Sequence, residues 1–242
     1  DYNKRWRTKT TRELVDEGLY SGQNSKWFIP MTKPVQYLRA ELPIPPYTMG
    51  ALLGDGHVDK SGGVTICSDV DVVERCECSS IKPHETSEYT RYGYLSGVKA
   101  NVRELGLAGK RSWEKFVPEQ YLRSSVSQRL SLLQGLLDTD GSAVQKGGVE
   151  FCSTSEKLVD AVTELTQSLG GVARKKPARV TYHQGGAGRS SWRVNVKLPG
   201  HMTPFTLERK VAKWVRPTKY QPQRRVRSIE VTGREESQCI RV

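Results

Sequence analysis

The chain has 242 residues and carries 38 lysines and arginines against 26 aspartates and glutamates, a formal net charge of +12. That length allows a full core, and so large a positive balance points to a polyanion, most simply nucleic acid. Five cysteines without paired CxxC spacing argue against structural zinc and a disulfide framework and predict a reducing, intracellular setting (cytoplasm or nucleoid), while no apolar run approaches membrane-spanning length and no signal peptide opens the chain.

Residues 1–44 start polar and basic, with Lys4, Arg5, Arg7, Lys9 and Arg12 around Trp6. Residues 15–20 predict a short helix, 21–25 a loop and 27–30 a strand. Pro45-Pro46 then sets up an apolar helix through Tyr47, Met49, Ala51, Leu52 and Leu53 that stops at Asp55-Gly56. Residues 57–60 and 63–68 predict a hairpin, 69–76 a helix, 86–95 a strand and 97–105 a helix. A second apolar helix begins at Val126, places Leu130, Leu133, Leu136 and Leu137 at helical spacing, and stops at Asp140-Gly141. A strand over 148–153, a helix over 155–169 capped by Ser155, strands over 172–182 and 191–198, and a last helix near Trp214 follow. The five tryptophans read as core side chains.

Shifting the chain by 85 residues, from Asp55 to Asp140, superimposes the two apolar helices without a gap. Gly50 falls on Gly135, Leu52 on Leu137, Gly56 on Gly141, Gly62-Gly63-Val64 on Gly147-Gly148-Val149, and Cys67-Ser68 on Cys152-Ser153. Two copies predict two similar halves facing each other. Glycine costs about 1 kcal/mol against alanine in a helix interior, so its presence in both helices predicts a close approach of two backbones. Each helix also ends on a carboxylate, at the negative end of its dipole. Two acids and two helix ends brought together favour a hard divalent cation with oxygen ligands, Mg²⁺ before others such as Mn²⁺ or Ca²⁺.

These residues resemble the LAGLIDADG homing endonucleases resident in inteins. Residues 49–56 look like the first motif, Leu133-Gln-Gly-Leu-Leu-Asp-Thr-Asp-Gly141 like the second, and 114–122 like the block that precedes the second motif. Leu53 and Gly54 depart from the family pattern, but neither replaces the motif's final aspartate. Residues 6–34 and 227–242 look like splicing segments. Asp1 stands where a Cys or Ser nucleophile would, and no terminal His-Asn is present, so the chain is expected not to splice. The implied fold is α+β, two αββαββα halves forming a DNA-binding saddle with a small β-rich flank. The implied divisions are an N-terminal flank over 1–44, halves over 45–125 and 126–216, and a C-terminal β segment over 217–242.

The resemblance implies hydrolysis of both strands of a long DNA duplex by a monomer, within a host protein where the chain is part of an intein precursor. It assigns Asp55 and Asp140 as metal ligands and catalytic acids, together with Gly54 and Thr139 at the metal. Lys115, in the lysine-bearing block, and Lys210, at a comparable place in the second half, are the catalytic lysines, with Lys197 a rival. Twisted strand ribbons fit the major groove, and the expected DNA contacts are Lys60, Arg91, Tyr92, Arg174, Lys176, Arg179, Arg193, Asn195 and Lys197. His57 reads as a groove-facing or turn residue. A non-catalytic binder on the same scaffold, an RNA maturase or a DNA-binding regulator, is the alternative.

Overall fold

The structure, a computed structural model, describes residues 7–78, 80–86, 90–144, 148–178, 189–216 and 222–236, without the side chains of 80–92. It divides into two compact units, one from residues 1–31 with 223–242 and one from 32–222.

In the smaller unit, helix α1 (Thr11–Asp16) is set by a capping box between Thr10 and Glu13. It stops ahead of Gly18, whose φ of +73° is left-handed. The helix therefore lies earlier than the hydrophobic pattern of 15–20 predicts. The expected loop at 21–25 is a tight hairpin of β1 (Tyr20–Ser21) and β2 (Asn24–Ser25). Strand β3 (Phe28–Pro30) pairs antiparallel with the far end of the chain, β12 (Gln223–Arg225). None of the described residues of this unit is buried.

The larger unit has α+β architecture and repeats one order of elements. The first run is α2 (Pro46–Asp55), β4 (Gly56–Val58), β5 (Val64–Asp69), α3 (Val70–Arg75), β6 (Ser80–Thr86), β7 (Thr90–Ser96) and α4 (Lys99–Glu104). After the short α5 (Glu119–Leu122), the second run is α6 (Val126–Asp140), β8 (Gly141–Val144), β9 (Gly148–Ser153), α7 (Glu156–Ser168), β10 (Val172–Ala178), β11 (Ser191–Lys197) and α8 (Glu208–Lys213). The two sheets are antiparallel and share a topology, β4-β5-β7-β6 and β8-β9-β11-β10. Strand β6 escapes the sequence pattern because Pro83 interrupts it. It is an edge strand, the place in a sheet where proline is tolerated.

Alternation along the strands sets the layers. In β11, Val194 and Val196 are buried at 0% and 2% exposure while Arg193 is exposed. The apolar faces of both sheets join one core with α2, α6 and α7, including Leu52, Leu137, Ile66, Phe151 and Val162. Trp214 belongs to this core and Trp192 packs against it. Trp113 instead remains 41% exposed, stacked by the Arg189 guanidinium at 3.6 Å from the ring centre. Trp6 lies outside the described residues. Among the described residues no helix is long and apolar enough to cross a membrane.

Candidate active site

Helices α2 and α6 meet backbone to backbone at their mid-helix glycines. A Cβ on Gly50 would lie 2.3 Å from the Leu132 carbonyl oxygen, and one on Gly135 would lie 2.3 Å from that of Tyr47. No side chain fits either place, which is why both helices accept the helical cost of glycine. One turn on, a Cβ at Gly54 would fall 2.0 Å from Thr139 Oγ1, so the pairing continues to the helix ends. Gly56 and Gly141 leave their helices in extended conformation, with φ of −82° and −99°. Their glycine requirement is steric: a Cβ would meet the carbonyl oxygen of Leu52 or of Leu137 at 2.5 Å.

This packing brings Asp55 and Asp140 into one electrostatic site. Asp140 keeps an exposed edge, yet burial, followed by the Asp55 charge, pushes its carboxyl up to about 6. Lys115 and Lys210 act in the opposite direction and do not cancel the effect. Asp55 accepts a hydrogen bond from the buried Ser68 hydroxyl at 2.5 Å. The matching Ser153 faces elsewhere and accepts from the Ser155 amide at 3.1 Å.

Both expected lysines lie inside the protein, 7% and 9% exposed. Lys115 Nζ donates to the carbonyls of Leu53 (2.9 Å), Gly54 (3.1 Å) and Gly56 (2.7 Å), with Leu52 at 3.3 Å. Lys210 Nζ does the same at the other helix end, to Leu137 (2.9 Å), Asp138 (2.5 Å) and Gly141 (2.6 Å), with Thr139 at 3.3 Å. The acceptors occupy the same positions in both motifs. Each ammonium thus satisfies orphan carbonyls at a helix C-terminus and offsets its dipole. Burial pulls both amines down to about 8, against the nearby carboxylate charges that favour protonation.

The donor set fits a hard cation. Two carboxylates converge beside the Gly54 and Thr139 carbonyls, and each of those carbonyls accepts from a lysine while retaining a second lone pair. Among the described residues no cluster of three or more His, Cys, Asp and Glu side chains could hold a metal. An ion here would therefore be bound incompletely by protein.

The sheets flank this site, and their described exposed residues differ. On the second, Lys176 pairs with Arg193, and Arg174 with Asn195, which in turn faces Glu150. Lys197 continues the row, opposite Val172. Glu150 escapes a search for basic residues, yet it forms an ion pair with Arg193 at 3.2 Å. A pocket of about 370 Å³ opens among Glu150, Lys176, Arg193 and Asn195. On the first sheet, His57 pairs with Thr65 and Thr65 with Tyr94, next to the exposed Cys67. Lys60 is exposed in the turn after β4. Arg91 and Tyr92 pair through their backbones with Ser68 and Cys67. The Arg91 and Tyr92 side chains, and all of Arg179, lie outside the described residues.

Residues 127–196 match the LAGLIDADG-like domain family. Over 170 residues the chain is 34% identical to the replicative DNA helicase DnaB of Mycobacterium intracellulare, covering 70% of this chain and 26% of the helicase. The chain thus spans about a quarter of that relative's length. Among solved structures it is similar to I-DmoI in complex with DNA and Ca, at 12% identity, 64% coverage of this chain, 83% of that one and a TM-score of 0.43. It is also similar to full-length DUF199/WhiA from Thermatoga maritima, at 11% identity, 72% and 60% coverage and a TM-score of 0.40.

Proposed function

We propose that the chain is a homing-type, site-specific endonuclease that hydrolyses both strands of a DNA duplex with a divalent cation, Mg²⁺ or a similar ion such as Mn²⁺ or Ca²⁺. The observation that carries this reading is the convergence of two carboxylates on two helix C-termini, with the Asp140 carboxyl pushed up to about 6. So unfavourable a concentration of negative potential is costly in a protein that only binds DNA, because it repels phosphate. It is useful where a cation is to be held against a phosphate.

Asp55 and Asp140 would hold the ion, with the Gly54 and Thr139 carbonyls beside them. A bound divalent ion supplies charge relief on phosphate oxygens and lowers the pKa of bound water. Lys115 and Lys210, buried behind the helix ends, ease the ionisation of Asp140 and place positive charge near where the phosphodiester gains negative charge. Ser68 orients Asp55. The exposed face of the second sheet would supply Arg193, Asn195, Lys176, Arg174 and Lys197 to base edges and phosphates.

We further read the smaller unit as part of a splicing fold whose remainder lies in a longer precursor. Two observations support this: none of its described residues is buried, and Phe28, Ile29 and Val231 are exposed. The identity to a quarter of a helicase is the pattern that a shared insert in a host protein gives.

The test is nicking and linearisation of a supercoiled plasmid library in Mg²⁺, comparing the wild type with Asp55→Asn and Asp140→Asn. Each substitution is expected to slow cleavage at least ~100-fold. Cleavage that survives both substitutions rejects the metal assignment. Tight DNA or RNA binding by the wild type without cleavage assigns a non-catalytic binder instead.

A further inference from the structure

Helix α6 carries another carboxylate, Asp138, which is 2% exposed. Its oxygens accept from Tyr47 Oη (3.0 Å), Thr206 Oγ1 (2.5 Å) and the Thr206 amide (3.1 Å), with the Leu207 amide at 3.5 Å. These donors occupy the lone-pair sites of a carboxylate, so Asp138 has no capacity left for an ion. Leu207 is the N-cap residue of α8 and provides no side-chain cap. Asp138 therefore pins the two backbone amides that lead into α8, an anion set near the positive end of that helix. Three residues beyond Leu207, Lys210 returns to the Asp138 carbonyl and the rest of the α6 terminus.

The first half lacks this device. Its matching position is Leu53, 1% exposed in the core. The backbone of Lys115 is held instead through its carbonyl, which accepts from Ser155 Oγ at 2.6 Å. The two lysines thus reach the same four-carbonyl cradle from differently built supports.

We propose that Asp138 is the positioning residue of the second half: by fixing the start of α8 it seats Lys210 against the carboxyl end of α6, and Tyr47 ties that seat to the first half. The geometric part of this proposal stands alone. Its consequence for cleavage rests on the endonuclease reading.

The test uses the full chain with Asp138→Asn, which keeps the shape of the side chain, and Asp138→Leu, which copies the first half. Native-state acetylation of lysine amines, read by mass spectrometry, is expected to show Lys115 and Lys210 both protected in the wild type. In the variants Lys210 should label several-fold faster while Lys115 keeps its protection. Unchanged labelling of Lys210, or equal gains at both lysines, overturns the proposal. In strand-resolved cleavage of an end-labelled target, the variants should cut one strand at the wild-type rate and the other roughly 100-fold more slowly, the scale set by misplacement of a reacting group. Nicked product then accumulates, and equal slowing of both strands overturns the proposal. If the wild type cuts neither strand, the nuclease reading fails, while the labelling still decides the role of Asp138.

Discussion

The two halves of the larger unit agree along their paired helices and lysine cradles and differ in what supports them. Gly50 and Gly135, and Lys115 and Lys210, occupy matching environments down to the four carbonyls under each ammonium, and Asp55 and Asp140 end the paired helices at matching positions. Around them little is shared. Ser68 bonds Asp55 but Ser153 leaves Asp140 alone; Asp138 stands where the first half has Leu53; and helix α3 has 6 residues against 13 in α7. Among the described residues the outer sheet positions differ too, one sheet presenting His57, Thr65, Cys67 and Tyr94, the other guanidinium, ammonium and amide groups. A seam tolerates little variation because its parts must fit one another. The surroundings need to fit only their own half, so they are free to differ.

If the seam is as symmetric as the geometry describes, Gly50→Ala and Gly135→Ala should damage it alike. Each adds a methyl group 2.3 Å from a backbone oxygen that cannot rotate away. Each should cost at least ~1–3 kcal/mol of stability, the usual range for overpacking, measured by urea unfolding. A substitution tolerated at one glycine and not at the other would break the equivalence of the helices.

The seam is legible in the sequence because most of its signals are local: Asp-Gly at a helix end, glycine inside an apolar helix, and Lys115 in a recognisable block, whereas Lys210 is marked only by its comparable place in the second half. The supports are not legible. Asp138 meets Thr206 and Tyr47 from 68 and 91 residues away, and no periodicity reports such a contact. Ser68 looked like an ordinary strand residue until β5 placed its hydroxyl on Asp55. Helix α1 does carry a sequence signal, since the Thr10–Glu13 capping box marks its start better than the later apolar residues do.

Ionisation of Asp140 offers a way to probe the shared site. The Asp140 carboxyl titrates near 6 in the folded protein, against an ordinary value of 3.8. Between those limits the folded chain binds more protons than the unfolded one, so this group's contribution is fully present below about 3.8 and is lost as pH rises through 6. Without divalent ion, Asp140→Asn should therefore raise Tm at pH 7 and have little effect at pH 4. Lys115 and Lys210, lowered from 10.5 to about 8, act in the opposite sense: stability rises as pH goes from 8 towards 10.5. Mg²⁺ should stabilise the wild type most between pH 6 and 8, and proton competition should weaken its binding below 6. A Tm difference between Asp140→Asn and wild type that stays flat from pH 4 to 7 contradicts the shared-site electrostatics.

The outward difference predicts that Arg193→Ala lowers specific DNA affinity by ~1–3 kcal/mol, the range for a bidentate base contact, whereas Thr65→Val on the other sheet costs less. Equal losses would mean that the charged face has no special share in recognition.

The smallest expected effect belongs to Glu150, and it separates affinity from selectivity. An acid repels a phosphate backbone, but this one holds the Arg193 guanidinium at 3.2 Å. The pair is solvent-accessible and worth only ~0.2–1 kcal/mol. Glu150→Gln should therefore tighten binding to random duplex by less than tenfold and steepen its salt dependence, since one repulsive charge is gone. Binding to the cognate site should gain less than binding to random duplex, because Arg193 loses the partner that fixes its orientation. Equal gains on cognate and random DNA would make Glu150 a bystander and leave selectivity to Arg193 and Asn195 alone.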